Sequence, residues 1–337
     1  MTYKEIIEVA KDCMGFCKAC IICNGKVCKN SMPGPGAKGI GDVAIRNYDK
    51  WKEIRLNMDT IAENKDVDTS FELFGKKFKY PIFAGPVGAV QLHYGDKYTE
   101  EEYNNIMLKS CNDSGIASFT GDGVNPNVMI AATNMIKKQN GMGIPSVKPW
   151  NIDIIKEKMK LVADSNAFAV AMDIDGAGLP FLKNLTPKAG SKTVEELREI
   201  KEIANRPFII KGVMTAKGAI KARESGADAI IVSNHGGRVL DQCAATVEVL
   251  PEIVDAVGGT IKILVDGGIR SGADILKALG IGADGVVIAR TFVIALYGGG
   301  EEGVKSYINQ LGAELEDAMT MCGVHSLKEI NRDVVRF

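Results

Sequence analysis

The run Ile230-Ile231-Val232-Ser233-Asn234-His235-Gly236-Gly237-Arg238-Val239-Leu240-Asp241 starts apolar and then delivers three chemical capacities within four residues. His235 can exchange a proton near neutral pH. Arg238 carries a planar guanidinium that can fork onto a carboxylate. The two glycines let backbone come close to a flat ligand. Other apolar runs end in the same way. Phe208-Ile209-Ile210 is closed by Lys211, and Ala169-Val170-Ala171-Met172 is followed by Asp173 and Asp175. In an extended chain those two carboxylates point the same way, so either can reach a ligand above the strand end. Asp266-Gly267-Gly268 with Arg270, and Arg290 after a further apolar run, offer glycine-rich backbone and guanidinium charge suited to an anion.

Runs that are apolar throughout read as strands buried on both faces, which means a parallel sheet covered by helices. From about residue 80 the chain alternates strand and helix. The expected strands are 81–86, 116–121, 143–147, 169–175, 206–213, the opening run, 261–270 and 285–290, with helices near 101–114, 125–140 and 193–204. Eight such units specify a (β/α)8 barrel, whose active sites are built at the carboxyl ends of the strands. Every polar residue named above falls at such an end, as does Lys148 after the third strand. The glycines, Pro180 and Pro187 after the fourth strand predict a mobile loop over the site. The barrel is expected over 41–337, preceded by an N-terminal cysteine-rich extension over 1–40 that opens with an amphipathic helix presenting Ile6, Ile7, Val9 and Ala10.

That extension holds Cys13, Cys17, Cys20, Cys23 and Cys28, five of the eight cysteines. Disulfides are disfavoured in a reducing compartment, which leaves metal binding or free thiols. The Cys17-x2-Cys20-x2-Cys23 spacing suits an iron–sulfur cluster with Cys13 or Cys28 as fourth ligand. A structural zinc and a set of plain reduced cysteines remain open beside it.

Composition narrows the function classes. With 337 residues, 46% hydrophobic and 25% charged residues, and a net charge of −1, the chain can bury a sizeable core under an ordinary surface. No basic stripe points to nucleic acid and no apolar run is long enough to span a bilayer. The opening Met1-Thr2-Tyr3-Lys4-Glu5 lacks the basic-then-apolar order of a signal peptide, so a cytoplasmic location is expected.

The Ser233–Asp241 segment resembles the active-site signature of the FMN-dependent α-hydroxy acid oxidase and dehydrogenase family, Ser-Asn-His-Gly-(Gly or Ala)-Arg-x-Leu-Asp, at every fixed position. Lys211-Gly212-Val213-Met214-Thr215 and Asp266-Gly267-Gly268-Ile269-Arg270 are similar to two more of its segments, and Cys322–Ile330 resembles its C-terminal helix region. The resemblance implies an FMN-binding barrel that oxidises a 2-hydroxy acid to a 2-oxo acid. It makes His235 the catalytic base, Asp175 the acid that orients it, Arg238 the binder of the substrate carboxylate, and Lys211 the cation that stabilises reduced flavin. Pro86, Val87, Gly88, Thr120 and Ser233 become flavin contacts. Asp266, Gly267, Gly268, Arg270, Ala289 and Arg290 become the phosphate clamp. His93 and His325 are read as taking no part in the chemistry. A homo-oligomer, tetramer or octamer, follows as an expectation.

Departures from the family pattern are as specific as the matches. Met32 stands where an N-terminal substrate-binding tyrosine is usual, Asp173 where a flavin-contacting threonine is usual, and Ser146 and Lys148 where a glutamine and a tyrosine are usual. Lys148 is therefore expected to bind substrate, favouring one with an extra anionic group. Two alternatives stand beside this reading: an FMN barrel with isomerase or reductase chemistry, and electron passage through the N-terminal cysteines. The electron acceptor is left unassigned.

Overall fold

The computed structural model describes residues 1–186 and 189–337. Eight parallel strands close into a barrel in chain order: β1 Ile82–Ala84, β2 Ala117–Thr120, β3 Ile144–Val147, β4 Val170–Asp173, β5 Phe208–Val213, β6 Ala229–Val232, β7 Lys262–Val265 and β8 Gly285–Ile288. All eight expected strands are present. Nearly every strand residue is buried, because the inward side chains fill the barrel and the outward ones meet the helices.

The barrel interior is packed by Phe83, Phe119, Ile144, Ile209, Ile231, Leu264 and Val287. A hairpin of Phe71–Leu73 and Lys76–Phe78, which the sequence pattern did not predict, places Phe71 and Phe78 edge-on against Phe83 at 6.0 and 5.5 Å. Those rings belong to the cluster that fills the barrel below its mouth, leaving the carboxyl ends for chemistry.

The N-terminal helix Tyr3–Cys13 starts at a capping box between Thr2 and Glu5 and buries Ile6, Ile7 and Ala10. Val9 is 42% exposed, so the expected apolar face is narrower than drawn from the sequence. The helix lies on the long C-terminal helix Arg290–Met321, which is kinked at Gly300. At Gly298 a Cβ would sit 2.0 Å from the Ile6 carbonyl oxygen, so only glycine permits that approach. Burying Ile6 and Ile7 there stabilises the contact by roughly 1.5–3 kcal/mol per side chain. No residue between Cys13 and Asp42 belongs to a helix or strand.

Strand β4 stops at Asp173, two residues earlier than expected. Ile174–Gly178 forms a tight helical turn, so Asp175 sits on a turn and not on a strand. The following segment contributes Leu179 and Phe181 to the mouth of the barrel, while Pro187 of the expected mobile loop lies outside the described residues.

Candidate active site

His235 leaves β6 with φ of +56°, a left-handed backbone that is costly for a residue with a Cβ. The turn is held from both sides. Ser233 accepts the His235 N–H through Oγ at 3.1 Å, and Gly237, itself at φ +82°, packs where a Cβ would meet Ala37 and Val43 at 3.0 Å. The strain aims the imidazole at Asp175, with Nδ1 3.0 Å from Oδ1. A carboxylate at Nδ1 fixes the proton there and leaves the Nε2 lone pair free, which is the arrangement of a base.

Beside this pair lies a buried charge network at the tips of β3, β4, β5 and β7. Lys211 Nζ is 3.1 Å from Asp173 Oδ1 and 3.9 Å from Asp266 Oδ2, and Lys148 Nζ is 3.8 Å from Asp173 Oδ2. Burial alone would discharge Lys211, but Asp173, Asp175 and Asp266 outweigh it and hold its pKa above the ordinary lysine value. Asp173 is the mirror case. Burial raises its pKa, and Lys211, His235 and Lys148 more than reverse that, so the carboxylate stays ionised. Asp266 goes the other way, raised mainly by burial although Ser233 Oγ donates to its Oδ2 at 2.7 Å.

Arg238 rises from the same turn as His235. Its Nη1 donates to the carbonyls of Gly34 and Gly36 at 2.6 and 2.9 Å, tying the N-terminal segment over the mouth. Among the described residues its Nε and Nη2 make no hydrogen bond, which leaves donors for an anion. Met32 lines the mouth.

Two residues were missed by sequence reasoning. His93, expected to take no part, lines the cavity and accepts the Gly34 N–H at Nδ1, 3.1 Å away. Burial, then Arg238, Lys148 and His235, push its pKa down to about 4. Tyr94, on the same short helix Val90–Tyr94, lines the cavity too and is buried, with its pKa pushed up to about 12. The available signal was position: this helix follows β1, and loops after barrel strands face the mouth. His325, in contrast, lies near Glu329 and is not among the cavity residues.

The mouth encloses about 1040 Å³, at the upper end of ligand pockets and enough for a cofactor together with a small substrate. Pro86, Val87 and Gly88 line one wall. Gly267, Gly268, Arg270, Ala289 and Arg290 line the end where β7 and β8 finish. Arg290 Nη1, Asp266 Oδ1 and Asp173 Oδ1 are buried without a hydrogen-bond partner, Asp173 Oδ1 having only its ion pair with Lys211. Buried polar atoms of this kind call for a ligand. A flavin mononucleotide fits that donor set: glycine backbone and Arg290 for the phosphate, Lys211 for the electron-rich edge of the ring. Two expected contacts do not line the cavity. Ser233 is turned to Asp266, and Thr120 is buried behind the wall with its hydroxyl unpartnered. Arg270 lines the cavity, but its Nε donates to the Cys23 carbonyl at 2.8 Å and its Nη1 to the Ile269 carbonyl.

The cysteines sit directly behind that end. Cys17, Cys20, Cys23 and Cys28 line one small cavity together with Arg290, whereas Cys13 does not, and Lys97 Nζ lies 3.3 Å from its sulfur. All eight cysteines are free thiols. Among the described residues, the only group of three ligand atoms within 4.8 Å of one another is Asp173, Asp175 and His235. Of the expected ligands, Cys17, Cys20, Cys23 and the fourth candidate Cys28 line this space, and the other candidate, Cys13, does not. Three of their sulfurs do not come as close as a mononuclear metal requires.

Comparison with known proteins follows the same outline. The sequence model of the FMN-dependent dehydrogenase family matches residues 35–120 and 163–337. The chain is 32% identical over 320 residues to a peroxisomal (S)-2-hydroxy-acid oxidase of Oryza sativa subsp. japonica, covering 86% of each chain. It is 29% identical over 317 residues to a 2-hydroxyacid oxidase of Dictyostelium discoideum, covering 86% of this chain and 81% of that one. A crystal structure of mandelate oxidase with (S)-4-hydroxymandelic acid superposes with a TM-score of 0.80 at 21% identity, over 100% of this chain and 99% of the other, and shares the fold. The unmatched residues between 120 and 163 include Lys148, Trp150 and Lys158, which converge on Asp122 through a backbone N–H, an indole N–H and an ammonium at 3.0, 2.6 and 2.6 Å. With seven of its eight barrel strands and most of its length inside that match, the chain belongs to the FMN-dependent dehydrogenase family.

Proposed function

We propose that this chain oxidises a 2-hydroxy acid to the 2-oxo acid, with FMN bound across the barrel mouth. The observation that carries the reading is the convergence of the His235–Asp175 pair, Arg238 and Lys211 on one cavity with unpartnered polar atoms. When bound, FMN supplies the two-electron sink, and the protein supplies position and charge.

In this reading Arg238 binds the substrate carboxylate through Nε and Nη2, while Nη1 stays on the Gly34 and Gly36 carbonyls. That places the 2-hydroxyl beside His235, whose Nε2 takes the proton that leaves the substrate. Asp175 keeps the imidazole oriented and stabilises it once charged. Lys211, held charged by its three carboxylates, offsets negative charge that builds on the cofactor side. Pro86, Val87 and Gly88 would support the ring, and Arg290 with Gly267 and Gly268 would hold the phosphate. His93, locked as the Nε2–H tautomer by the Gly34 N–H, offers a donor on the wall that lacks the usual tyrosines. Lys148 adds an ammonium there, and we read it as selecting substrates with a second anionic group.

Free cysteines throughout are consistent with the reducing cytoplasm that we assign to the protein. We retain the division into an accessory segment, 1–40, on a barrel, 41–337, and a tetramer or octamer that light scattering would count. The function itself is tested by supplying FMN-loaded protein with a redox dye and a panel of 2-hydroxy acids, and identifying the product. Stoichiometric 2-oxo acid supports the proposal, and dye reduction without it refutes it.

A further inference from the structure

We propose that Cys17, Cys20, Cys23 and Cys28 hold an iron–sulfur cluster behind the phosphate end of the barrel mouth. The inference concerns a second site beside the flavin pocket; its electron-transfer role rests on the proposed function, and its metal content is measured independently of it.

Four thiols from one twelve-residue stretch, Cys17 to Cys28, line a single small cavity, and none of them is oxidised to a disulfide. A free thiol packs as a small hydrophobe, so packing alone gives no reason for four half-buried ones to meet, whereas metal binding does. The Cys17-x2-Cys20-x2-Cys23 triplet repeats the C-x2-C-x2-C run of iron–sulfur proteins, and Cys28, after four more residues, brings a fourth thiol to the same cavity. Structural zinc sites usually draw their ligands from two separated pairs.

Distances decide between the two. A tetrahedral zinc with bonds of about 2.3 Å holds its sulfurs about 3.8 Å apart. No three cysteine sulfurs here lie within 4.8 Å of one another. The four cysteines instead line a common space with their sulfurs farther apart, which suits a larger core in which each binds a different iron. No helix or strand lies between Cys13 and Asp42, so the four residues are carried on one irregular segment.

The charge around the thiols suits an anionic cluster. Arg270 donates to the Cys23 carbonyl at 2.8 Å and lies 3.7 Å from the Cys23 sulfur through Nη2, and Arg290 lines both this cavity and the mouth. Such guanidinium contacts offset the negative charge of a thiolate-bound cluster and tune its potential. Because Arg290 is shared, the cluster lies one side chain from the cofactor site. The two electrons released per substrate can then leave singly to a one-electron carrier, with both protons passing to water.

The test is iron, zinc and acid-labile sulfide analysis of the full chain, produced with added iron and purified without oxygen. The expected result is roughly four iron and four sulfide per chain, with a paramagnetic signal after dithionite. Cys20→Ser and Cys28→Ser should lose at least half of the iron, while Cys13→Ser and Cys243→Ser keep it. Melting temperature and FMN uptake show whether each variant is folded, and the wild-type analysis is decisive if one is not. Zinc without sulfide, no metal at all, or equal iron loss in Cys13→Ser each overturns the proposal, whatever the flavin does.

Discussion

His93 and Arg238 grip the same residue from opposite sides: Gly34 donates its N–H to His93 Nδ1 at 3.1 Å, and its carbonyl accepts from Arg238 Nη1 at 2.6 Å. The segment that closes the mouth is thus fastened to an imidazole that must stay neutral to accept. Its pKa in the fold, pushed down to about 4 by burial and then by Arg238, Lys148 and His235, lies below the value of about 6.5 for a free histidine. Between those values the unfolded chain takes up the proton and the folded one does not. Stability is therefore lost as pH falls through that window. Melting curves from pH 7.5 to 4.5 should fall more steeply for wild type than for His93→Asn, whose carboxamide oxygen accepts the same N–H without titrating. Parallel curves would contradict this role.

Asp175 touches His235 and nothing else by hydrogen bond among the described residues, its Oδ2 being unpartnered. Asp175→Asn should lower kcat by roughly 10²–10⁴-fold with a small change in KM, because a carboxamide can neither fix the tautomer nor stabilise the imidazolium. Adding His235→Gln should cost little more, since the two act as a unit. Additive losses in steady-state kinetics would separate them.

Lys148 is a buried ammonium only partly neutralised, since Asp173 lies closer to Lys211 than to it. Lys148→Met should reduce kcat/KM for dicarboxylic 2-hydroxy acids by roughly 10-fold or more, the worth of one charged hydrogen bond. Monocarboxylic acids should change much less. An unchanged ratio between the two substrate classes would remove Lys148 from the binding site.

Arg290 presents an unpartnered buried Nη1 at the end of β8. Arg290→Met should weaken FMN binding roughly 10–100-fold, read from quenching of flavin fluorescence. Uptake equal to wild type would mean that the phosphate is held elsewhere.

The barrel was legible because its strands are short apolar runs bounded by polar tips, such as Ile230-Ile231-Val232 before His235. The histidine and its acid were legible because both lie at such tips, even though the chain turns at Ile174 before presenting Asp175. The hairpin at Phe71–Phe78 was not. Its strands are three residues each, and Lys76 and Lys77 mask the alternation that would mark them. His93 and Tyr94 were hidden for another reason: only the fold shows that the N-terminal segment crosses the mouth and turns their helix toward it. Arg270 was assigned to the anion by resemblance; in the fold it lines the cavity, and its Nε donates to a carbonyl 247 residues away, a contact the sequence does not show.

The most direct test of the central claim is the visible flavin band of FMN-loaded protein mixed anaerobically with 2-hydroxy acids. The wild-type band should bleach with at least one acid of the panel, and His235→Gln should bind FMN yet stay yellow. A chain that takes up FMN but bleaches with none of the acids, or a His235→Gln variant that bleaches at the wild-type rate, would contradict the account.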